Sequence, residues 1–143
     1  MSPAPFLPTR PPKVNHATRP FWEACAEGRL VVPRCDDCGE LIWYPRLFCP
    51  SCASTSVTWT DMSGRGTVYS FSITRKGAGP FRDVAPYVLA YVELDEGPIM
   101  LTNVVGCDPD AVEIGMVVEV VFEPAGEGLD GHPTAIPRFT PRS

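Results

Sequence analysis

Histidine and lysine are scarce in this chain, with two of each among 143 residues. His16 lies in a proline-rich start and His132 follows Asp130-Gly131. Neither stands in a Ser/His/Asp or Cys/His pattern, so the sequence shows no nucleophile with its base. No G-x-G-x-x-G or Walker sequence occurs, and Gly77-Ala78-Gly79-Pro80 is too short to stand for one. No apolar run approaches the roughly 20 residues that a membrane helix needs. The start also lacks the apolar segment of a secretory signal. The expectation is a cytoplasmic protein without membrane association.

Positive charge is equally short. Residues 53–143 carry six basic and twelve acidic side chains, a net of −6 within a chain total of −5. Residues 1–28 hold a net of +1 and residues 29–52 are balanced. Binding DNA or RNA needs a basic face that displaces counterions. The composition does not supply one, so no nucleic-acid partner is expected.

What is present is a chain of one-domain size, 44% hydrophobic, able to bury a real core. Of its 17 prolines, Pro3, Pro5, Pro8, Pro11, Pro12 and Pro20 fall in the first 20 residues. Residues 1–17 therefore read as an extended arm, since proline fixes φ and lacks a donor. Thr18 is placed to cap a short helix with Pro20 in its first turn, running through Phe21-Trp22-Glu23-Ala24-Cys25-Ala26-Glu27 to a stop at Gly28. Phe21, Trp22 and Cys25 share one face. So short a helix needs a surface to pack against, and this face and the arm are expected to meet a partner chain.

Four of the six cysteines form two C-x-x-C pairs, Cys35/Cys38 and Cys49/Cys52, ten residues apart. Thiolates two residues apart on a tight turn can reach one ion together. Two such turns complete a four-sulfur sphere at roughly 2.3 Å per zinc–sulfur bond. Zinc is the favoured metal, and iron in a rubredoxin-like site is the rival. Gly39 lets the backbone turn behind Cys38 and offer amides to sulfur. Four protein ligands leave no position for water, so the site is structural and folds a segment too small to fold alone. Cys25 and Cys107 are lone thiols, expected to be buried and inert.

Leu30–Pro33 and Leu41–Pro45 read as two small strands leading into and out of the metal turns. After Ser54 the texture becomes β-branched and aromatic. Strands are expected at Val57–Asp61, Gly66–Thr74, Tyr87–Leu94, Ile99–Val105, Val117–Phe122 and Thr134–Phe139. Five or six strands in that length suit a small barrel of the OB type. The fold class is thus mainly β, in three parts: arm and helix over 1–28, a ribbon over 29–54 and a barrel over 55–143. Between two of its strands, the glycine-bearing loop Arg75–Asp83 carries Arg75, Lys76 and Arg82 against one acid. These cations are candidates for phosphates or an acidic partner.

Two strings complete the picture. The first runs Phe21-Trp22-Glu23-Ala24, Glu27-Gly28-Arg29-Leu30, Arg34-Cys35-Asp36-Asp37-Cys38-Gly39, Tyr44-Pro45-Arg46, Cys49-Pro50-Ser51-Cys52. The second is Ser63-Gly64-Arg65-Gly66-Thr67-Val68-Tyr69-Ser70-Phe71, continued by Pro86–Gly97 and Val117–Phe122. Together these resemble the DUF35 family, acyl-CoA-associated OB-fold proteins with a rubredoxin-like zinc ribbon.

The resemblance implies a helix, a ribbon holding structural zinc on Cys35, Cys38, Cys49 and Cys52, and an OB barrel. It implies a non-catalytic subunit of a thiolase-like protein, with two copies of each expected and the CoA ester shared with the partner. Family examples are the archaeal acetoacetyl-CoA thiolase and hydroxymethylglutaryl-CoA synthase assembly, and the steroid side-chain aldolases and hydratases of actinobacteria. Ten arginines against two lysines suggest a GC-rich bacterial source, which favours the steroid branch. The competing readings are a nucleic-acid-binding ribbon and barrel, and an iron-bearing electron carrier.

Overall fold

Alternation of inward and outward side chains builds the larger part of the molecule. In the computed structural model, which describes residues 7–128 and 131–142, β4 (Tyr87–Leu94) buries Val88, Ala90, Val92 and Leu94. Residues 1–6, with Pro3 and Pro5 of the arm, lie outside the described residues, as do Leu129, Asp130 and Ser143. β3 (Arg65–Thr74), β5 (Ile99–Val104), β6 (Val117–Glu127) and β7 (Pro133–Pro141) join β4 in the order β3-β4-β5-β7-β6, closing back on β3. All the barrel pairings are antiparallel except β5 with β7. This is the five-stranded Greek-key barrel of the OB fold.

Two local features explain how the sequence closes that barrel. A bulge in β3 between Val68 and Ser70 shifts the phase of the strand, so Val68 and Phe71 both pack on the core. Strand β7 carries Pro133, Pro137 and Pro141, which cannot donate to a ladder. Its seam with β5 accordingly holds one register pair, Val104 with Phe139, and the Thr102 hydroxyl donates to the Pro137 carbonyl at 3.1 Å.

The helix α1 (Arg19–Ala26) packs chiefly on β7. Phe21 and Cys25 are buried in the barrel's own core cluster, with Trp22 half-buried against it. The apolar helix face expected to await a partner is therefore already covered by its own chain. The arm is likewise occupied. Leu7 is buried, the Leu7 and Pro8 carbonyls accept from the Arg138 guanidinium, and the Thr9 hydroxyl donates to the Pro124 carbonyl. Thr18 stands at the N-cap, but its hydroxyl pairs with Asn15 and caps no helical amide.

The ribbon departs from expectation in its strands. β1 (Val31–Cys35) pairs antiparallel with β2 (Val57–Asp61), from Val31 opposite Asp61 to Cys35 opposite Val57. Val57–Asp61, counted with the barrel on its texture, belongs to this two-stranded sheet. Leu41–Pro45 forms no strand and contributes a single bridge, Leu41 to Arg34. An edge-to-face contact of Phe21 with Trp43 at 5.3 Å ties the helix to the ribbon, where Trp43 packs in the same way on Tyr44 at 5.4 Å.

Candidate metal centre

The ribbon's own core consists of Cys35, Ile42 and Cys49, with Val57 partly buried against them. Leu30, Val31 and Val32 are buried at the start of the ribbon, but the two cysteine turns themselves bury one aliphatic side chain, Ile42, which at about 1.5–3 kcal/mol is too little to order their backbone. Something else must hold the two turns, and the four sulfurs sit where it would act. Cys35, Cys38, Cys49 and Cys52 place their Sγ atoms within 4.8 Å of one another. Cys35 Sγ lies 3.5 Å from Cys52 Sγ, and Cys38 Sγ lies 3.6 Å from Cys49 Sγ. These separations are far longer than a disulfide bond. They match the edge of a tetrahedron with bonds of about 2.3 Å, which is roughly 3.8 Å. The cluster fits a four-coordinate zinc ion.

Each pair is shaped by one and the same turn. The Gly39 amide donates to the Cys35 carbonyl at 2.9 Å and the Ala53 amide to the Cys49 carbonyl at 2.7 Å. The Cys35 amide donates to the Glu40 carbonyl and the Cys49 amide to the Ser54 carbonyl, both at 2.8 Å. Gly39 and Ala53 both have positive φ, 79° and 64°. The turn also prepares the ligand. The Cys38 amide points at Cys35 Sγ, 3.5 Å away, and the Cys35 thiol is drawn down to about 7, first by that amide and then, against the opposing effect of burial, by the amide of Asp37. Amide donation to the charged form favours thiolate, the species a metal binds.

Hydroxyl–carboxylate bonds join the two turns, a feature that spacing alone does not reveal. Ser54 donates to Asp37, and Ser51 to Glu40 at 3.0 Å. Asp36 accepts from Ser56 at 3.0 Å and from Thr58 at 2.7 Å. The acids of the first turn thus meet the hydroxyls of the second turn and β2. Their signal was Ser51 inside the second pair and the serine- and threonine-rich run after Cys52.

In the cationic loop, one of the three charges is already paired. Arg75 forms an ion pair with Asp110 at 2.8 Å, while Lys76 and Arg82 are exposed to either side of a 3-10 turn at Gly79–Phe81. The loop is wound closely. A Cβ on Gly77 would stand 2.0 Å from the Phe81 carbonyl oxygen, and the Phe81 ring lies 5.0 Å from Tyr87. Of the lone thiols, Cys25 is buried as expected, whereas Cys107 is half-exposed. Among the described residues, no helix is long and apolar enough to cross a membrane.

A ribbon on four cysteines joined to an OB barrel defines the class, and family comparisons agree with both halves. Residues 22–58 match the ChsH2 rubredoxin-like zinc ribbon domain, and residues 59–123 match the ChsH2 C-terminal OB-fold domain. A DUF35 domain-containing scaffold protein of Methanothermobacter thermautotrophicus is 39% identical over 104 residues, 71% of this chain and 78% of the relative. The benzoylsuccinyl-CoA thiolase subunit BbsA of Thauera aromatica is 29% identical over 92% of each chain. Among solved structures, a chain of the Ltp2-ChsH2(DUF35) aldolase is similar with a TM-score of 0.77 and 36% identity, over 91% of this chain and 98% of that one. This chain belongs to the DUF35 family.

Proposed function

We propose that this protein is a non-catalytic accessory subunit of a thiolase-superfamily acyl-CoA enzyme, either a thiolase or a steroid side-chain acyl-CoA aldolase or lyase. The observation that carries this reading is the likeness, over nearly its full length, to a chain of the Ltp2-ChsH2(DUF35) aldolase. Similarity to a benzoylsuccinyl-CoA thiolase subunit supports it. The chemistry of the candidate site points the same way, because four thiolates close a zinc ion's sphere and leave no place for an activated water. In this reading zinc is structural, held by Cys35, Cys38, Cys49 and Cys52, and the thiolase-like partner carries the reacting groups.

The finer parts of the reading follow from it. The working units are the arm and helix through residue 28, the ribbon over 29–54 with β2 closing its sheet, and the remaining barrel up to residue 143. The assembly is cytoplasmic and contains two copies of each chain. Lys76 and Arg82, both exposed, approach the CoA phosphates of a substrate shared with the partner, and Arg75 reaches them only by leaving Asp110.

Co-expression with the thiolase-like protein encoded beside it tests the whole. A soluble heteromer that cleaves or condenses CoA esters is expected, with no turnover by this chain alone. Turnover by the pure isolated chain, or no association, would overturn the reading. Reversing Lys76 and Arg82 to glutamate should raise KM for the CoA ester and leave the heteromer intact.

A further inference from the structure

The outward side chains in the middle of the barrel are apolar. Between the buried positions of β4, the residues facing out are Leu89, Tyr91 and Glu93. An antiparallel strand with one wet face ordinarily carries polar residues there, yet Leu89 is 40% and Tyr91 47% exposed. On β5, Met100 and Val104 face the core as usual and Asn103 faces out, but one neighbouring pair is reversed. Thr102 is buried and Leu101 is 53% exposed. At Leu89, Tyr91 and Leu101 the ladder is apolar on its outer as well as its inner side, while Glu93 and Asn103 bound that stretch.

These side chains adjoin one another. Tyr91 and Leu101 are register partners, which sets their Cβ atoms about 4.5–5.5 Å apart. Leu89 is two residues along the same face, and Tyr69, 57% exposed, sits in the β3 bulge beside the Ser70–Tyr91 pair. A contiguous group of this kind marks an interaction surface, where singly scattered apolar residues do not.

Charge selects the occupant. The outward residues of β4 and β5 include one acid, Glu93, and no cation, and the one cation of β3 is Arg65 at the start of that strand, away from Tyr69. A nucleic-acid strand on an OB face needs cations beside its stacking aromatics. A second copy would press two segments of net −6 together, a like-charge contact that disfavours self-association. What fits is a protein patch that is apolar at its centre and carries a cation opposite Glu93. The apolar side of α1, the other candidate face, is already spent on the chain's own core. Tyr44, Leu47 and Phe48 are also exposed, but they lie in an irregular turn, whereas the β4–β5 ladder holds its side chains in fixed register. We infer that the Tyr69, Leu89, Tyr91 and Leu101 face is the docking surface for the thiolase-like subunit, an inference that rests on the accessory-subunit reading above.

The test uses the thiolase-like protein encoded beside this chain as the probe, with affinity measured by calorimetry. The double variant Tyr91→Thr/Leu101→Thr keeps strand-forming residues and should lose about 100-fold in affinity, with metal content unchanged and the isolated chain still folded. The exposed Glu93→Lys change gives a second reading, about tenfold weaker binding, should the double variant fold poorly. Leu47→Ser/Phe48→Ser should remain within threefold of the parent. No binding by the parent chain would overturn the accessory-subunit reading and this inference with it. Parental affinity in both the double variant and Glu93→Lys, or loss confined to the Leu47/Phe48 variant, would overturn the docking face alone. So would a homodimer of the isolated chain that the Tyr91/Leu101 variant dissolves.

Discussion

Gly39 and Ala53 are counterparts, each four residues past the first cysteine of its pair and each in left-handed backbone, with φ of 79° and 64°. Glycine adopts that conformation without a steric cost, and alanine does not. Ala53 is exposed, so its methyl group gains no burial in return. The change Ala53→Gly should therefore stabilise the ribbon by up to about 1 kcal/mol, the relief being partly offset by the greater freedom of glycine when unfolded. Chelator-induced metal release followed over time would show it as slower loss. Faster loss would mean that the second turn draws something from the methyl group that its geometry does not reveal.

The metal should be inseparable from β1 and β2. Close to one zinc per chain is expected on elemental analysis, and a red iron-loaded protein would speak for the rival metal. Removing one ligand with Cys38→Ser should lower metal affinity by several orders of magnitude and melt the ribbon, because binding and local folding are one event. The barrel has its own core of valines, Leu94, Met100 and Phe139. Its amides should stay protected from hydrogen exchange while those of Val31–Cys35 and Val57–Asp61 become labile. An unchanged ribbon in the metal-free protein would contradict this.

The metal ligands were legible because two C-x-x-C pairs impose a geometry that few other functions share, and the barrel strands because their inward positions alternate along the chain. The ribbon's second strand was not legible. Val57-Thr58-Trp59-Thr60-Asp61 has the same β-branched and aromatic texture as the barrel strands, and only its pairing with Val31–Cys35 tells it apart. Leu41–Pro45 misled in the other direction, since its apolar residues bury Ile42 in the ribbon core and stack Trp43 on Phe21 without forming a ladder. The helix face of Phe21 and Cys25 was legible as apolar. Whether its cover lay in this chain or in another depends on β7, more than 100 residues away in sequence.

Cys25 supplies a pH test. Burial pushes its thiol from 9.0 up to about 12, since a thiolate there would lose its hydration. A group whose pKa is raised on folding contributes stability in full below its unfolded value and loses it as pH rises. The unfolded chain ionises this thiol from about pH 9, so the stability it lends should decline between about pH 9 and pH 12. Cys25→Ala should flatten that alkaline loss in urea titrations. At pH 8, maleimide should label Cys25 only as fast as the protein unfolds, and rapid labelling of the native protein would refute the buried thiol.

Arg138 fastens the arm at Leu7 and Pro8 to the barrel strand β7. It is 3% exposed, forms an ion pair with Glu123, and donates to the Leu7 and Pro8 carbonyls at 3.3 and 2.9 Å. Removing one partner of a buried pair costs about 3–5 kcal/mol, because the other charge is left uncompensated. Arg138→Met should fall in that range by thermal unfolding. In Arg138→Met/Glu123→Leu both charges leave, and most of the lost stability should return, since a packed apolar pair of similar volume replaces a buried ion pair at little cost. The arm behaves differently, because its two carbonyls lose their donor in both variants. Trypsin cleavage at Lys13, which follows a segment held to β7 through Leu7 and Pro8 and to β6 through Thr9, should therefore accelerate about tenfold in the single and the double variant alike. An arm that stays protected in the double variant, with stability restored, would show that Leu7 and its apolar neighbours hold the strap and that the guanidinium serves Glu123 alone.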